Sequence, residues 1–179
     1  MTLRADSALP SLRSERVFPA VRDALAACSR RGFRLIQFSV QSDHLHLIVE
    51  ADDNVAFSRG LQGLAVRCAR AVNRCARRRG RVWAHRYHGR ALNTPREVRR
   101  ALVYVLLNFR KHLRAAPGVD SRSSGPWFEG WRDCRDRPLR PPSLAGPCPV
   151  ARPHTWLAAT GWRRAGPLIS CAETPARSR

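Results

Sequence analysis

Apolar and polar positions recur along this chain with two different periods, and the switches between them mark out its elements. Residues 15–31 carry Val17, Val21, Leu25 and Cys28 at helical spacing, and Gly32 closes the segment. Phe33 to Val40 reads as a strand. After the polar connector Gln41-Ser42-Asp43 a second β-branched run follows, His44-Leu45-His46-Leu47-Ile48-Val49-Glu50. So short a connector predicts an antiparallel pair. Successive side chains of a strand alternate between faces, so His44, His46, Ile48 and Glu50 share one face, and Leu45, Leu47 and Val49 turn into a core on the other. Ahead of these elements, Met1 to Arg4 is at most the stub of a strand, and Leu9-Pro10-Ser11-Leu12 reads as a turn.

The helical period returns over residues 54–79, the longest helix, which Asn54 is placed to cap. Its stripe is Phe57, Leu61, Leu64, Cys68, Val72 and Cys75. Gly80-Arg81 breaks it, and residues 82–92 form a third extended segment. The next helix has the clearest start in the chain: Thr94 as N-cap, Pro95 at the first helical position and Glu97 completing a capping box. Val98, Ala101, Leu102, Val105, Phe109 and Leu113 form its buried stripe. Beyond residue 115 the pattern breaks up, and that stretch holds ten of the 13 prolines and four of the five tryptophans. It reads as an appendage, residues 116–179, pinned to the 1–115 domain by its tryptophans and frayed after Thr174. Strands and helices in this order define an α+β sandwich of antiparallel sheet and helices.

Charge changes the picture more than composition does. A 44% hydrophobic share supports an ordinary core, but the formal net charge of +20 predicts a polyanionic partner, of which nucleic acid is the commonest. Nearly all the cations are arginine, with Lys111 the only lysine, a bias that a GC-rich genome would also produce. Six cysteines without a Cys-x-x-Cys pair fit neither a disulfide framework nor a zinc site. No apolar run approaches the ~20 residues that span a bilayer, and no secretory signal core is present, so a soluble, cytoplasmic protein is expected.

Several clusters carry candidate chemistry. His44 and His46, one pleat apart on one face, make half of a metal site, or simply two solvated histidines at a strand edge. Arg67, Arg70, Arg74, Arg77 and Arg78 lie on the long helix and its C-terminal end, either as a solvated face or in contact with phosphate. The 82–92 segment interleaves aromatic and basic residues, among them Arg86, Tyr87, His88 and Arg90, which suits stacking on bases and binding backbone. Tyr104 and Asn108 share a flank of the capped helix, offset by about 40°. A tyrosine there is ordinarily packing with its hydroxyl wet.

Together these motifs resemble a known family. Ser42-Asp43-His44-Leu45-His46-Leu47-Ile48-Val49-Glu50 resembles the His-hydrophobic-His motif of the single-tyrosine HUH transposases, in particular their REP-associated branch. Val82-Trp83 through Arg86-Tyr87-His88, and Ala101-Leu102-Val103-Tyr104-Val105-Leu106-Leu107-Asn108, match that branch's later segments in order and spacing. The resemblance spans residues 2–170. It implies a ferredoxin-like fold, a divalent ion, Mg²⁺ or Mn²⁺, and single-stranded or hairpin DNA as substrate. It also implies a tyrosine nucleophile that forms a 5′-phosphotyrosine, with a homodimer as a possible assembly. Tyr104 falls where that family keeps its nucleophile, so it is preferred to Tyr87, and His44, His46 and Asn108 would hold the metal. Arg67, Arg70, Arg74, Arg77, Arg78, Arg86, Tyr87, His88, Arg90 and Lys111 are the expected DNA contacts. The chemistry agrees: a phenol with pKa near ~10 is a poor nucleophile at neutral pH without help.

One departure stands out. Family members begin with a full first strand, and Met1-Thr2-Leu3-Arg4 offers only its end, which would leave sheet edges exposed. It keeps open a hairpin-binding protein without turnover, inactive or domesticated. A rolling-circle replication initiator is the weaker alternative, since no helicase region is present.

Overall fold

Strands β1 (Thr2–Arg4), β2 (Phe33–Val40) and β3 (His44–Ala51) form one antiparallel sheet in the order β1-β3-β2. The computed structural model describes residues 1–110, 118–133 and 148–175. The short first strand does not leave the sheet open. Thr2 pairs with His46 of β3 on one side and, through two backbone hydrogen bonds of 2.7 and 3.0 Å, with His88 on the other. With the 82–88 segment in fourth place the order becomes 4-1-3-2, the ferredoxin-like βαββαβ arrangement expected for the chain. At the opposite edge, the Val40 N–H donates to the Arg122 carbonyl, the Ser124 N–H to Phe38 and the Ala151 N–H to Leu35. Both edges are thereby covered, which protects exposed ladder groups from pairing with other chains.

The 82–92 segment, extended by its pattern, does not form a continuous strand but only isolated bridges, Thr2 with His88 and Ala5 with Trp83. The reason lies in the count. Three steps along the first strand, from 2 to 5, oppose five steps from 83 to 88, so the intervening residues must loop out of the ladder.

The two faces of the sheet are covered differently. Helices α1 (Phe18–Ala26) and α2 (Asn54–Cys75) pack on the face carrying Leu45 and Leu47, together with Leu3, Phe33, Leu35, Phe38 and Val40. A bulge between Leu35 and Gln37 keeps Leu35 and Phe38 on this face while Ile36 turns to the other. Gly60 lets α2 approach closely: a Cβ there would lie 2.1 Å from Cγ of the fully buried Phe33. Helix α3 (Pro95–Leu107) covers the other face, where Val98, Leu102, Val103 and Leu106 pack with Ile36 and Ile48.

Helix ends account for the remaining differences from expectation. The first helix is shorter than residues 15–31, and Gly32, with φ of +82°, turns the chain into β2. The second ends at Cys75 rather than residue 79, because Arg77 (φ +50°) and Gly80 (φ +100°) leave helical geometry. Its cap is Asp53, whose carboxylate accepts the Ala56 N–H at 2.7 Å, not Asn54. The Thr94–Glu97 capping box forms as expected.

The C-terminal segment packs on α3 and on the sheet. Trp131 and Trp162 are buried with Ile169 in the α3 layer, whereas Trp156 is half exposed beneath Arg164. Its polar anchor is Glu50. That carboxylate accepts the N–H groups of His154 (2.8 Å) and Thr155 (3.0 Å) and the Thr155 hydroxyl, at the N-terminus of the short helix α4 (Trp156–Ala159), and it also pairs with Arg34. Arg13 clasps Asp120 through both guanidinium nitrogens at 2.7 and 2.8 Å. Cys28, Cys68, Cys75, Cys148 and Cys171 are free thiols, and burial pushes Cys28 up to about 11. Among the described residues no helix is long and apolar enough to cross a membrane. Lys111, Leu113, Cys134 and the chain end after residue 175 lie outside the described residues.

Candidate active site

Strand alternation and the capped helix converge on one histidine. His46 is the third residue of β3, only 4% exposed, on the face that α3 covers. Its Nδ1 lies 3.0 Å from Thr2 Oγ1 across the β1–β3 ladder, and its Nε2 lies 3.0 Å from the side-chain nitrogen of Asn108. With the amide in this orientation, Nδ2–H donates to Nε2. The ring proton then sits on Nδ1 and is donated to the Thr2 hydroxyl.

His44 stands one pleat away on the same face. Its ring is parallel to that of His46 within 6°, with centroids 5.9 Å apart, and its Nδ1 lies 2.6 Å from Asp43 Oδ1. Both imidazoles thus have Nδ1 tied to an oxygen, which fixes ring orientation, and Nε2 of His46 accepts from the Asn108 amide, a bond that must part before this nitrogen takes a ligand.

Tyr104 and Asn108 arrive from α3. Tyr104 meets His46 edge to face, ring centroids 5.1 Å apart at 76°. Asn108, 2% exposed, caps the helix with its N–H on the Tyr104 carbonyl at 3.0 Å. Because α3 begins at a fixed capping box, these positions are held at a definite height above β3. Burial raises the pKa of Tyr104 above the ordinary phenol value, so its hydroxyl is protonated at neutral pH.

Both His46 and Tyr104 open onto a cleft of about 1010 Å³, whose walls also include Thr2, His88, Arg90 and Arg100. The other expected contacts divide between the two sides of the sheet. His88, paired with Thr2, which is paired with His46, belongs to one cross-strand row. Tyr87 does not: its ring packs edge to face on Phe57 of α2, 5.9 Å away, on the α1/α2 side. Arg67, Arg70 and Arg74 are on α2, and Arg77 and Arg78 follow it, all in that same layer across the sheet from His46. Arg86 is exposed in the looped-out part of the 82–88 segment.

Thr2 and Arg100 line the cleft without belonging to any of the candidate motifs. Thr2 could be found only from the register of β1, whose pairing a three-residue strand barely encodes. Arg100 is legible only as the residue one turn before Tyr104, on the same flank as Asn108.

No group of three His, Cys, Asp or Glu side chains that could hold a metal is assembled among the described residues. The neutral side-chain amide of Asn108 touches His46 and is a candidate third donor beside the two histidines. Two oriented imidazoles and a neutral amide suit a borderline divalent ion such as Mn²⁺, and Mg²⁺ less well, since it prefers oxygen ligands.

The sheet and α3 thus bring His44, His46, Tyr104 and Asn108 together, beside a cleft walled in part by Arg90 and Arg100. A family model described as "Transposase IS200 like" matches residues 15–104, 90 of the 179 residues, and the chain belongs to this transposase family. The match includes both histidines and ends at Tyr104, so Thr2 and Asn108 lie outside it. No curated protein and no solved structure gives a significant match to the chain.

Proposed function

We propose that this transposase cleaves and rejoins single-stranded, hairpin-bearing DNA through a covalent 5′-phosphotyrosine on Tyr104, in the manner of the single-tyrosine, REP-associated branch. The observation that carries this reading is the direct contact of His46 with both Asn108 (3.0 Å) and Tyr104 (5.1 Å between rings), residues far apart in sequence and brought together by sheet and helix.

In the step proposed, Tyr104 Oη attacks phosphorus. The Oη–P bond forms as the P–O3′ bond breaks, the phenolic proton passes to water, and the departing 3′-oxygen takes up a proton to leave as a hydroxyl. His44, His46 and Asn108 would hold Mg²⁺ or Mn²⁺, which when bound polarises a phosphate oxygen and offsets its developing charge. The rigid α3 holds the hydroxyl beside that phosphate. Arg86, His88 and Arg90 would guide the strand along the rim of the cleft. The α2 arginines would bind phosphates on the other side of the sheet, whether the protein acts as one copy or as a homodimer.

Incubating the purified protein with hairpin-bearing single-stranded oligonucleotides and Mn²⁺ tests the reading. A protein–DNA adduct that survives denaturation is expected, and His44→Ala and His46→Ala should each abolish it while hairpin binding persists. Hairpin binding without any adduct across a broad oligonucleotide set would instead identify a binding protein without turnover.

A further inference from the structure

We propose that Arg100 is a further catalytic residue, whose guanidinium binds the non-bridging oxygens of the phosphate that Tyr104 attacks. The inference rests on Tyr104 being the nucleophile.

Three observations carry it. The first is position. Arg100, Tyr104 and Asn108 follow one another at four-residue intervals on one flank of α3, which brings neighbouring Cβ atoms to about 5–6 Å. Helical side chains lean toward the N-terminus, so the Tyr104 ring tilts over the turn that carries Arg100. The second is access: Arg100 is exposed and forms part of the same cleft wall as His46 and Tyr104.

The third is charge. Three arginines face this cleft, and two are already committed to carboxylates. Arg99 makes a two-pronged pair with Glu173 at 2.8 and 3.0 Å, and Arg90 lies 3.3 Å from Glu97. Among the described residues Arg100 has no carboxylate within ion-pair distance. An incoming phosphate therefore finds its uncommitted protein cation one turn from the nucleophile. Arginine's planar fork matches two phosphate oxygens at once, and it neither gains nor loses a proton during the step.

The test compares Arg100→Gln, Arg100→Lys and, as a charge-matched control, Arg31→Gln. Arg31 is exposed beside Gly32, at the end of the sheet away from His46. Adduct formation on a single-stranded oligonucleotide with Mn²⁺ is followed in time, and thermal unfolding checks each fold. Arg100→Gln should slow the adduct by about 10²-fold or more, the usual loss for one donor to developing charge. Arg100→Lys should recover part of the rate, and Arg31→Gln should match the parent protein. In a Tyr104→Phe background, which binds without cleaving, Arg100→Gln should lower the salt slope of single-strand binding by about 0.7, the value for one phosphate contact. A Gln variant within about threefold of the parent rate, well under the loss of one such donor, would overturn the proposal. So would equal loss in the Gln and Lys variants with an unchanged salt slope, since that pattern marks a structural role. If the parent protein forms no adduct at all, the nucleophile reading fails first and this inference falls with it.

Discussion

Replacing Thr2 by Val isolates what β1 contributes to the site. Valine keeps the shape and β-branching of threonine, so the ladder from Thr2 to His46 and His88 should persist, and only the hydroxyl at 3.0 Å from His46 Nδ1 is removed. His46 is 4% exposed, so water does not easily substitute for that hydroxyl. Removing one partner of a buried donor costs about 1–3 kcal/mol, and the ring can lower this by moving its proton to Nε2. That escape places the proton on the nitrogen facing Asn108, where a metal would bind. Loss of such an outer partner typically lowers metal affinity about 10–100-fold, which corresponds to about 1.4–2.8 kcal/mol. Mn²⁺ titration by calorimetry, with thermal unfolding in parallel, should show weaker binding for Thr2→Val and near-parental binding for Thr2→Ser. Parental affinity in the valine variant, or equal losses in both variants, would refute the reasoning.

Other elements make separate predictions. Burial alone would raise the pKa of Glu50, but its bonds from His154, Thr155 and Arg34 outweigh this and hold it below the ordinary carboxylate value. Its contribution to stability is therefore complete at neutral pH and is lost as pH falls through the depressed folded-state pKa. Glu50→Gln should cost about 3–5 kcal/mol at pH 7, as for breaking a buried pair, and flatten the acid limb of a urea-unfolding profile measured against pH. Gly60→Ala should destabilise by about 1–3 kcal/mol in chemical unfolding, because the clash with Phe33 outweighs the helix-propensity gain, itself only about 1 kcal/mol. Changing Arg67, Arg70 and Arg74 together to Gln should weaken hairpin binding and make its salt slope shallower, by up to about 0.9 for each phosphate these side chains engage. Cleavage of an already bound strand should continue at the parental rate, as these residues lie across the sheet from His46.

Local chemistry made much of this molecule legible. The Thr94–Glu97 box placed the start of α3 to the residue, and alternation along β3 assigned His46 and Leu47 to opposite faces correctly. A four-residue spacing put Tyr104 and Asn108 on one flank, and both do meet His46. What escaped was set by pairing between distant segments. Thr2 reaches His46 only through a three-residue strand, and the mismatch of two steps that breaks up the 82–92 segment depends on the partner's length. The role of Glu50 depends on Thr155, 105 positions away, which no local pattern encodes. The two tyrosines separate for the same reason: only the folded chain shows Tyr87 turned to Phe57 while Tyr104 faces His46.

Mapping the DNA-linked peptide tests the central claim most directly. The chain has only two tyrosines, Tyr87 and Tyr104, and arginines between them let trypsin separate the two. After reaction with an oligonucleotide and Mn²⁺, nuclease trimming and mass spectrometry should find the nucleotide on the peptide containing Tyr104, and Tyr104→Phe should abolish the adduct while Tyr87→Phe retains it. A nucleotide on Tyr87, or an adduct that survives in Tyr104→Phe, would contradict the account.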